Sequence, residues 1–517
     1  MFKRALPFSI TKRGVFALVG TLLMLMGTTA PLVNAAATTQ NTAKVSFTFD
    51  DGLASALNNA APVLAAHGLT GTDYVITSCI GMTVLAGNNS CRADNTKDYM
   101  TSSQIQQLHS QYGWEIGSHT VTHPQLAVAD GAKDGSLPGG AAQVTSELTQ
   151  SKQTIAGILG AAPSDLAFPY GDYDNNALSE AAKYYETARG FADLGYNTYP
   201  YNQSLLVNEQ IQEGKTVGTI KGVTYAQAKA YVDAAIAGNQ WLVLTFHNIS
   251  TTTPTSADDY STSTALLDQI AAYVQQQQAA GKISSVNVTD GITRGTDLMA
   301  NGDFASGIAN GWTTDSATIT ADSGNNGRYP EPTHSVSLKT AAGATTEGHL
   351  YSPQVAVTYG QQYILKNYVH MLSGGSVNFY IDEYDAAGNK LTGVDPKAGM
   401  AYTAVANGVN VSDINFTYTP SSATVAKAAL QVIVKGSGTQ AYYDGAQWLN
   451  PDGSTVVVPP TTKAGDANGD GIVNIKDATL VSLNWGKTGM TRAQGDLNAD
   501  GVVNIKDATL VSLNWGK

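Results

Sequence analysis

The segment KVSFTFDDG, residues 44–52, is the stretch that most directly predicts how the N-terminal half of the chain folds. Val45, Phe47 and Phe49 alternate with smaller or polar residues, which is the period of a β-strand. The strand then presents Asp50 and Asp51 side by side. Two adjacent carboxylates are unfavourable at a strand end unless a cation or a proton separates their roles. We therefore expect a buried strand that leads into a charged site.

Further strand patterns alternate with helical patterns up to about Ile292. Strands are predicted at Lys44–Phe49, Thr72–Thr77, Trp114–Ser118, Leu166–Phe168, Trp241–Phe246 and Ser284–Val288. Helices are predicted at Ser55–His67, Ser102–Gln111, Ala141–Leu159, Asn176–Tyr185, Tyr225–Ala237 and Thr264–Ala280. Because alternating βα units form parallel sheets, we predict an α/β domain, a distorted (β/α) barrel, over residues 36–296.

Polar residues follow several of the predicted strands. One strand leads into His119 and His123, and another leads into His247. Pro124 disfavours the helical conformation at His123, so we expect the first two histidines on a loop. Parallel βα folds place their active sites at the carboxyl ends of the strands. One aspartate and two histidines with open positions for water and substrate are the pattern of a catalytic metal site.

These motifs resemble those of the NodB-type polysaccharide deacetylases, carbohydrate esterase family 4. Thr48–Gly52 (TFDDG) resembles the first motif of the family, His119–His123 (HTVTH) the second and Ala167–Gly171 (AFPYG) the third. The strand that ends before His247 resembles the last motif. The motifs occur in the order and spacing of the family. The resemblance implies a barrel enzyme that hydrolyses acetyl groups on a polysaccharide.

The resemblance also implies roles for individual residues. The ligands of a divalent metal, usually Zn²⁺, would be Asp51, His119 and His123. Asp50 would be the general base that deprotonates the attacking water, and His247 would be the general acid that protonates the leaving amine or alcohol. The backbone N–H of Tyr170 would stabilise the tetrahedral oxyanion.

The chain departs from the family at several positions. The third motif usually contains an arginine that orients the catalytic aspartate, and this chain has Ala167 there. Arg189 is the candidate substitute, and a surface arginine is the alternative interpretation. The Asp and Trp of the fourth motif are not recognisable, and Asp193 is the nearest candidate to tune His247. Thr245 replaces a leucine of the family, which changes the pocket.

The N-terminus predicts an exported protein. Residues 1–35 combine four basic residues, an apolar run and small residues ending in Ala35, as a secretory signal peptide does. An uncleaved anchor is the alternative. We expect Cys79 and Cys91 to form a disulfide outside the cytoplasm, with two buried free thiols as the alternative. The formal net charge of −12 argues against a nucleic-acid partner.

The middle of the chain lacks helical periodicity. Residues 297–450 contain short strand patterns separated by Gly, Asn and Pro, which predicts an all-β sandwich. Asn301–Phe304 and Trp312 resemble the opening of family 4/9-type carbohydrate-binding modules, but no sugar-binding residue is identified. Residues 451–463 have the composition of an extended linker.

The C-terminal segment is an internal duplication. Residues 471–487 (GIVNIKDATLVSLNWGK) and 501–517 (GVVNIKDATLVSLNWGK) differ at one position, and an acidic loop leads into each copy. The loops have the ligand spacing of calcium-binding loops, with Asp rather than Glu at position 12. The predicted ligands are Asp466, Asn468, Asp470, Ile472 (carbonyl), Asn474 and Asp477 for one Ca²⁺, and Asp496, Asn498, Asp500, Val502 (carbonyl), Asn504 and Asp507 for a second. Residues 464–517 resemble a type I dockerin, a small all-α module.

The dockerin resemblance implies a partner, a scaffold protein that bears cohesin domains. The implied contact residues are Ile475, Lys476, Ser482, Leu483 and Lys487 in the first repeat, and Ile505, Lys506, Ser512, Leu513 and Lys517 in the second. Because the two sets are identical, we expect two equivalent faces of which one is used at a time. The alternative is that the duplicated helices pack only within this protein.

The sequence as a whole predicts a secreted, metal-dependent polysaccharide deacetylase. Polymers that contain N-acetylglucosamine are the first candidate substrate. The dockerin points towards plant polysaccharide, so an acetylxylan esterase is the second candidate. A non-catalytic carbohydrate-binding subunit is the rival from another class, because the third-motif arginine is missing.

Overall fold

The computed structural model describes residues 43–84, 91, 97–127, 140–213, 222–255, 260–292, 294–391, 404–405, 410–450, 465, 467, 473, 475–488, 490, 494–498 and 501–515. The predicted signal peptide, residues 1–35, and the predicted linker, residues 451–463, lie outside these residues. None of the helices in this described part of the chain combines the length and the apolar character needed to cross a membrane.

Strands and helices alternate through residues 43–292. The strands are β1 (Ala43–Asp51), β2 (Thr72–Val75), β3 (Glu115–Ser118), β4 (Asp165–Ala167), β5 (Thr187–Leu194), β6 (Leu206–Gln210), β7 (Trp241–Phe246), β8 (Asn248–Ser250), β9 (Ser261–Ser263) and β10 (Ile283–Ser285). The helices are α1 (Ala61–Ala66), α2 (Ser102–Tyr112), α3 (Gly140–Leu159), α4 (Asn175–Tyr184), α5 (Tyr225–Gly238), α6 (Thr264–Ala279) and α7 (Val288–Gly291). A π-helical turn, Ala56–Ala60, precedes α1, and 3₁₀ turns lie at Thr77–Cys79 and Pro169–Gly171.

The strands β1 to β7 are parallel, lie side by side in sequence order, and close into a barrel because β7 also pairs with β1. Strand β10 pairs with the beginning of β1, whereas β2 pairs with its end. The pairing of β5 with β6 is irregular, since Arg189 pairs with Leu206 but Leu194 pairs with Asn208. The closed parallel barrel confirms the architecture predicted for this part of the chain.

The two faces of β1 differ in chemistry. Phe49 lies in an apolar cluster that includes residues of α5 and α6, and its ring centroid is 5.1 Å from that of Phe246. Burying such a side chain contributes about 1.5–3 kcal/mol. On the opposite face, Thr48 Oγ1 lies 3.1 Å from Thr245 Oγ1, and Asp50 follows two residues later. The apolar face therefore anchors the strand, while the polar face carries Asp50 into the barrel.

Several strands differ from the prediction, and β5, β8 and β9 were not among the predicted strands. Strand β6 was not predicted, because its inward positions include Asn208 and Gln210 and so show no apolar alternation. The strand predicted at Ser284–Val288 is shorter, since Val288 begins α7. Sequence patterns therefore miss strands whose buried face is polar.

Residues 296–450 form two antiparallel sheets. Their strands are β11 (Thr296–Asp297), β12 (Thr313–Thr314), β13 (Ile319–Asp322), β14 (Ser335–Lys339), β15 (Gly348–Tyr351), β16 (Val355–Ala356), β17 (Tyr363–Ser373), β18 (Ser376–Tyr384), β19 (Ala404–Val405), β20 (Asn410–Asp413), β21 (Phe416–Tyr418), β22 (Lys427–Lys435) and β23 (Gln440–Asn450). One sheet contains β11, β13, β14, β17, β20, β21 and β23, and the other contains β12, β15, β16, β18, β19 and β22. Apolar side chains of both sheets share one cluster, in which Trp312 is buried.

The two-sheet region contacts the barrel through Arg328. This buried side chain donates from Nε to Asp413 Oδ1 over 2.9 Å, and its other nitrogens donate to the carbonyls of Tyr185 and Glu186 over 3.2 and 2.8 Å. Tyr185 and Glu186 directly precede β5. The contact therefore lies at the amino end of that strand, away from the carboxyl ends of the barrel strands.

The C-terminal repeats contribute α8 (Ile475–Leu483) and α9 (Ile505–Leu513). A small cluster joins the repeats and consists of Ala467, Val473, Val481, Leu497, Val503 and Val511. Val503 also exchanges backbone hydrogen bonds with the end of the first repeat, from Gly486 N over 2.8 Å and to Lys487 O over 3.1 Å. Few apolar side chains are buried among the residues of this unit that the structure describes, which indicates a small core.

Candidate active site

The residues predicted from the motifs converge at the carboxyl end of the barrel. Strand β1 ends at Asp51, His119 directly follows β3, the turn with Tyr170 follows β4, and His247 follows β7. The set that the structure brings together is Asp50, Asp51, His119, His123, Tyr170, Arg189 and His247.

Asp51, His119 and His123 form a buried group of three potential metal ligands. Asp51 Oδ1 lies 3.7 Å from His119 Nε2 and 3.6 Å from His123 Nε2, and the two Nε2 atoms are 3.1 Å apart. Bonds of about 2.1 Å in a tetrahedral site separate neighbouring ligand atoms by about 3.4 Å, which matches these distances. One carboxylate oxygen and two imidazole nitrogens therefore fit a Zn²⁺-type ion with further positions open.

The backbone around the three ligands holds them in place. His119 Nδ1 donates to the Ala167 carbonyl over 2.8 Å, so its Nε2 carries the lone pair that can bind a metal. His123 lies on a loop, as expected from Pro124. Asp51 and His123 have φ angles of 80° and 60°, a left-handed conformation that costs about 1–3 kcal/mol per residue. Such strain is typical of functional sites.

Asp50 lies between a cation and a histidine. Arg189 Nη2 donates to Asp50 Oδ1, and His247 Nε2 lies 3.8 Å from Asp50 Oδ2. Burial raises the pKa of Asp50, but the charges of Arg189, His119 and His247 and the Arg189 hydrogen bond outweigh it and leave this pKa below its usual range. Burial lowers the pKa of His247, and Asp50 and Asp51 offset this in part. The Asp50 carboxylate is thus held ionised, and the His247 imidazolium is a stronger acid than usual.

Arg189, the candidate substitute for the third-motif arginine, donates a hydrogen bond to Asp50. It is buried, so its interpretation as a surface residue is wrong. Arg189 and Ala167 are register partners on β5 and β4, so the small side chain at Ala167 lies beside the position from which the guanidinium reaches Asp50.

Residues that the sequence did not identify support Arg189. The guanidinium lies 4.7 Å from the ring centroid of Tyr74, and its Nη1 donates to the Gly190 carbonyl over 2.8 Å. Asn208 Nδ2 donates to the same carbonyl over 2.9 Å, and Gln210 Nε2 donates to the Phe191 carbonyl over 2.7 Å. These side chains bind backbone carbonyls in the part of β5 where the pairing with β6 is irregular. No sequence pattern pointed to them, because Asn208, Glu209 and Gln210 are three consecutive polar residues.

Aromatic rings flank the site on two sides. The Tyr170 ring lies 4.5 Å from that of His123, and 48% of the Tyr170 residue is exposed. Phe191 and Tyr260 lie 5.4 and 5.1 Å from the His247 ring. The side chain of Asp193, the candidate to tune His247, lies outside the described residues. The rings offer apolar surfaces on which a sugar ring can stack.

The predicted disulfide lies beside the rim. Cys79 and Cys91 are bonded through their sulfur atoms. Cys79 packs in a small cluster with Leu53, Ile76 and Tyr99. The bond thus ties the 3₁₀ turn after β2, Thr77–Cys79, to Cys91.

The C-terminal acidic loops are described in part. Asp507 accepts hydrogen bonds from the backbone N–H groups of Leu497 and Asn504, each over 2.8 Å. Asp477 accepts the equivalent bond from Ala467 N, also over 2.8 Å. Of the predicted ligands, Asp477, Asp496, Asn498, Val502, Asn504 and Asp507 are described, whereas Asp466, Asn468, Asp470, Ile472, Asn474 and Asp500 are not. The carboxylates of Asp477 and Asp507 are both buried.

The two repeats present equivalent exposed apolar residues. Ile475 and Leu483 are each 66% exposed, and Ile505 and Leu513 are 66% and 64% exposed. The side chain of Lys476 and all of Lys517 lie outside the described residues. The sequence reasoning missed two further exposed side chains, Trp485 and Trp515.

Comparisons with known proteins agree with these observations. A polysaccharide deacetylase family model matches residues 37–187, and a dockerin type I domain model matches residues 464–514. The chain is 28% identical over 139 residues to YxkH of Bacillus subtilis (strain 168), a protein named for polysaccharide deacetylase activity. That match covers 27% of this chain and 41% of the relative, so the chain spans less than half of the relative's length.

Solved structures similar to this chain include a Streptococcus pyogenes deacetylase in complex with acetate, 25% identical, with a TM-score of 0.25, covering 31% of this chain and 62% of that one. Another is a CE4 domain of a multidomain xylanase from the hindgut metagenome of Trinervitermes trinervoides, 14% identical, with a TM-score of 0.30, covering 48% and 89%. The two family models show that the chain contains a polysaccharide deacetylase domain and a type I dockerin domain.

Proposed function

We propose that this protein is a metal-dependent deacetylase that hydrolyses acetyl groups on a polysaccharide. The observation that carries the proposal is the convergence of two groups at one end of the barrel. The first is the ligand group Asp51, His119 and His123, and the second is Asp50 with its buried partner Arg189. Deacetylases of this family are metal-dependent hydrolases that act on amide or ester bonds.

The first step is attack of water on the acetyl carbonyl carbon. A divalent cation bound by Asp51, His119 and His123 would polarise the acetyl carbonyl and lower the pKa of water. Asp50 accepts the proton of the attacking water, because Arg189 keeps its carboxylate ionised. The backbone N–H of Tyr170 would donate to the carbonyl oxygen as negative charge develops on it.

The second step breaks the bond between the acetyl carbon and the sugar nitrogen or oxygen. His247 donates a proton to the leaving atom, and burial makes its imidazolium a stronger donor. The products are acetate and the free amine or hydroxyl group of the sugar. The rings of Phe191 and Tyr260 contact the imidazole ring of His247 and restrict its orientation.

Two substrate classes are compatible with this chemistry. Polymers that contain N-acetylglucosamine are the first candidate, and O-acetylated xylan is the second. The non-catalytic interpretation depended on the missing arginine, and the contact of Arg189 with Asp50 removes that support. We infer that the two-sheet region is a β-sandwich of the carbohydrate-binding-module type, in which the buried Trp312 serves the core rather than sugar binding.

We further infer that the protein is exported and joined to a scaffold. The dockerin would bind two Ca²⁺ ions and a cohesin domain, and the exposed face would include Ile475 and Lys476 or, equivalently, Ile505 and Lys506. Dockerin-bearing enzymes that act on carbohydrates are typically extracellular. Extracellular conditions also suit the bond between Cys79 and Cys91.

Acetate release tests the proposal and separates the substrates. Purified protein with added Zn²⁺ is incubated with N-acetylated chitin oligomers and with O-acetylated xylan oligomers. We expect acetate from at least one of them, and the ratio of the two kcat/KM values assigns the class. If neither substrate releases acetate while the protein is folded and metal-loaded, the enzymatic function is refuted.

A further inference from the structure

Glu147 on α3 is a buried carboxylate that contacts the loop between two proposed metal ligands. Its Oε2 accepts hydrogen bonds from Val121 N over 2.7 Å and from Thr122 N over 2.9 Å. Its Oε1 accepts a hydrogen bond from Thr122 Oγ1 over 2.6 Å. The residue is only 6% exposed. One side chain thus binds both residues at the centre of the loop from His119 to His123.

The loop has a conformation that needs such support. Thr120 and His123 have φ angles of 66° and 60°, in the left-handed region that β-branched and bulky residues rarely adopt. The His123 N–H donates to Thr120 Oγ1 over 3.0 Å, which closes a tight turn inside the loop. A free loop of this kind would spread over many conformations, and only a few would bring the two Nε2 atoms to 3.1 Å.

The same face of α3 makes a second contact with the start of the loop. Ser151, one helical turn after Glu147, accepts a hydrogen bond from Ser118 Oγ over 2.8 Å. Ser118 Oγ in turn accepts one from Thr120 N over 3.2 Å. Among the described residues, no ion pair involves Glu147, and both of its carboxyl oxygens are hydrogen-bonded by the loop.

We propose that Glu147 is a positioning residue that sets the affinity of the site for its metal by holding the His119–His123 loop in the ligand geometry. The inference rests on the proposed metal-binding function of that site. Replacing a residue that orients metal ligands through hydrogen bonds, without binding the metal itself, typically changes metal affinity 10- to 100-fold. Glu147 does not contact the metal position or the substrate, so its effect should appear in metal binding before catalysis.

Zinc affinity of the full-length protein is the test. Wild type, Glu147→Gln and Glu147→Ala are stripped with a chelator, and the Kd for Zn²⁺ is measured by competition with a chromophoric chelator. Glu147→Gln keeps the shape but replaces an acceptor oxygen with a donor. We expect the Kd to rise about 10-fold for Glu147→Gln and towards 100-fold for Glu147→Ala.

Glu383→Gln is the matched control. Glu383 is also a buried carboxylate, and it accepts hydrogen bonds from Tyr418 Oη, Ser421 N and Ser421 Oγ in the two-sheet region. Its replacement should leave the Kd for Zn²⁺ unchanged. If Glu147→Ala does not fold, Glu147→Gln and Glu147→Asp still give the measurement.

The outcomes separate the inference from the function on which it rests. A wild-type protein that binds no Zn²⁺ would refute the proposed metal site. Tight binding in wild type together with an unchanged Kd in both Glu147 variants would overturn the positioning role alone. An equal loss of affinity in Glu383→Gln would also overturn it, because the effect would then come from general destabilisation.

Discussion

Replacing Arg189 with methionine should move the acid limb of the pH–activity profile upward. Arg189 is fully buried and hydrogen-bonded to Asp50, whose pKa it helps to hold below the usual range. Without the guanidinium, burial raises the pKa of Asp50 against weaker opposition. A neighbouring cation typically lowers a carboxyl pKa by about 1–3 units, so the limb should move by a similar amount. At pH values below the pKa of Asp50, kcat/KM should fall about tenfold for each unit by which this pKa is raised.

The same substitution should destabilise the fold. Removing one partner of a buried ion pair costs about 3–5 kcal/mol, because the other charge remains buried without compensation. The direction in which stability changes with pH follows from the lowered pKa of Asp50. In wild type its contribution to stability is present at neutral pH and is lost as the pH falls through the folded-state pKa. In Arg189→Met, that loss should begin at a higher pH.

Arg328→Met separates the catalytic effect from the structural one. Arg328 is also buried and pairs with Asp413, but it lies at the amino end of β5. The assay is kcat/KM for acetate release from pH 4 to 9 at saturating Zn²⁺, together with thermal unfolding. Arg328→Met should lower the unfolding temperature and leave the acid limb in place. If the limb of Arg189→Met coincides with that of wild type, Arg189 does not set the pKa of Asp50 and the reasoning fails.

Three further changes test the remaining parts of the account. His119→Ala should lose bound Zn²⁺ and activity together, whereas Asp50→Asn should retain Zn²⁺ and lose about 10²–10⁴ in turnover; full activity in Asp50→Asn, measured by acetate release, would exclude Asp50 as the base. Residues 464–517 should lose helical circular dichroism in chelator and regain it with Ca²⁺, because the unit has little core; a calcium-independent spectrum would contradict this. Leu483→Asp or Leu513→Asp alone should leave cohesin binding intact by calorimetry while the double change abolishes it, and loss from a single change would refute the two equivalent faces.

The sequence was sufficient for the barrel and for the residues with recognisable chemistry. The alternation of β1 and the residues that follow β3 and β7 predicted a parallel barrel with polar groups at one rim. Asp51, His119 and His123 are indeed within bonding reach of one ion. This succeeds because a parallel barrel places the carboxyl ends of its strands together, whatever the details of packing.

The supporting residues could not be predicted, because their roles depend on contacts between distant segments. Glu147 lies in the middle of a helix and has no motif around it. Tyr74 contacts Arg189 from β2, which is not adjacent to β5, and Asn208 on β6 donates to the Gly190 carbonyl that Arg189 also contacts. The irregular register between β5 and β6 has no sequence pattern. The replacement of the third-motif arginine was a hypothesis from the sequence, and its geometric support comes from the structure, in the hydrogen bond from Arg189 to Asp50 and the register of Ala167 with Arg189.

Metal reconstitution tests the central claim most directly. The full-length protein is stripped with a chelator, and acetate release from acetylated oligosaccharide is followed while Zn²⁺ is added, with His123→Ala as the control. The account predicts no release by the stripped protein, recovery that saturates at one Zn²⁺ bound at the barrel site, and no recovery in His123→Ala. Undiminished acetate release by the stripped protein, or equal recovery in His123→Ala, would contradict it.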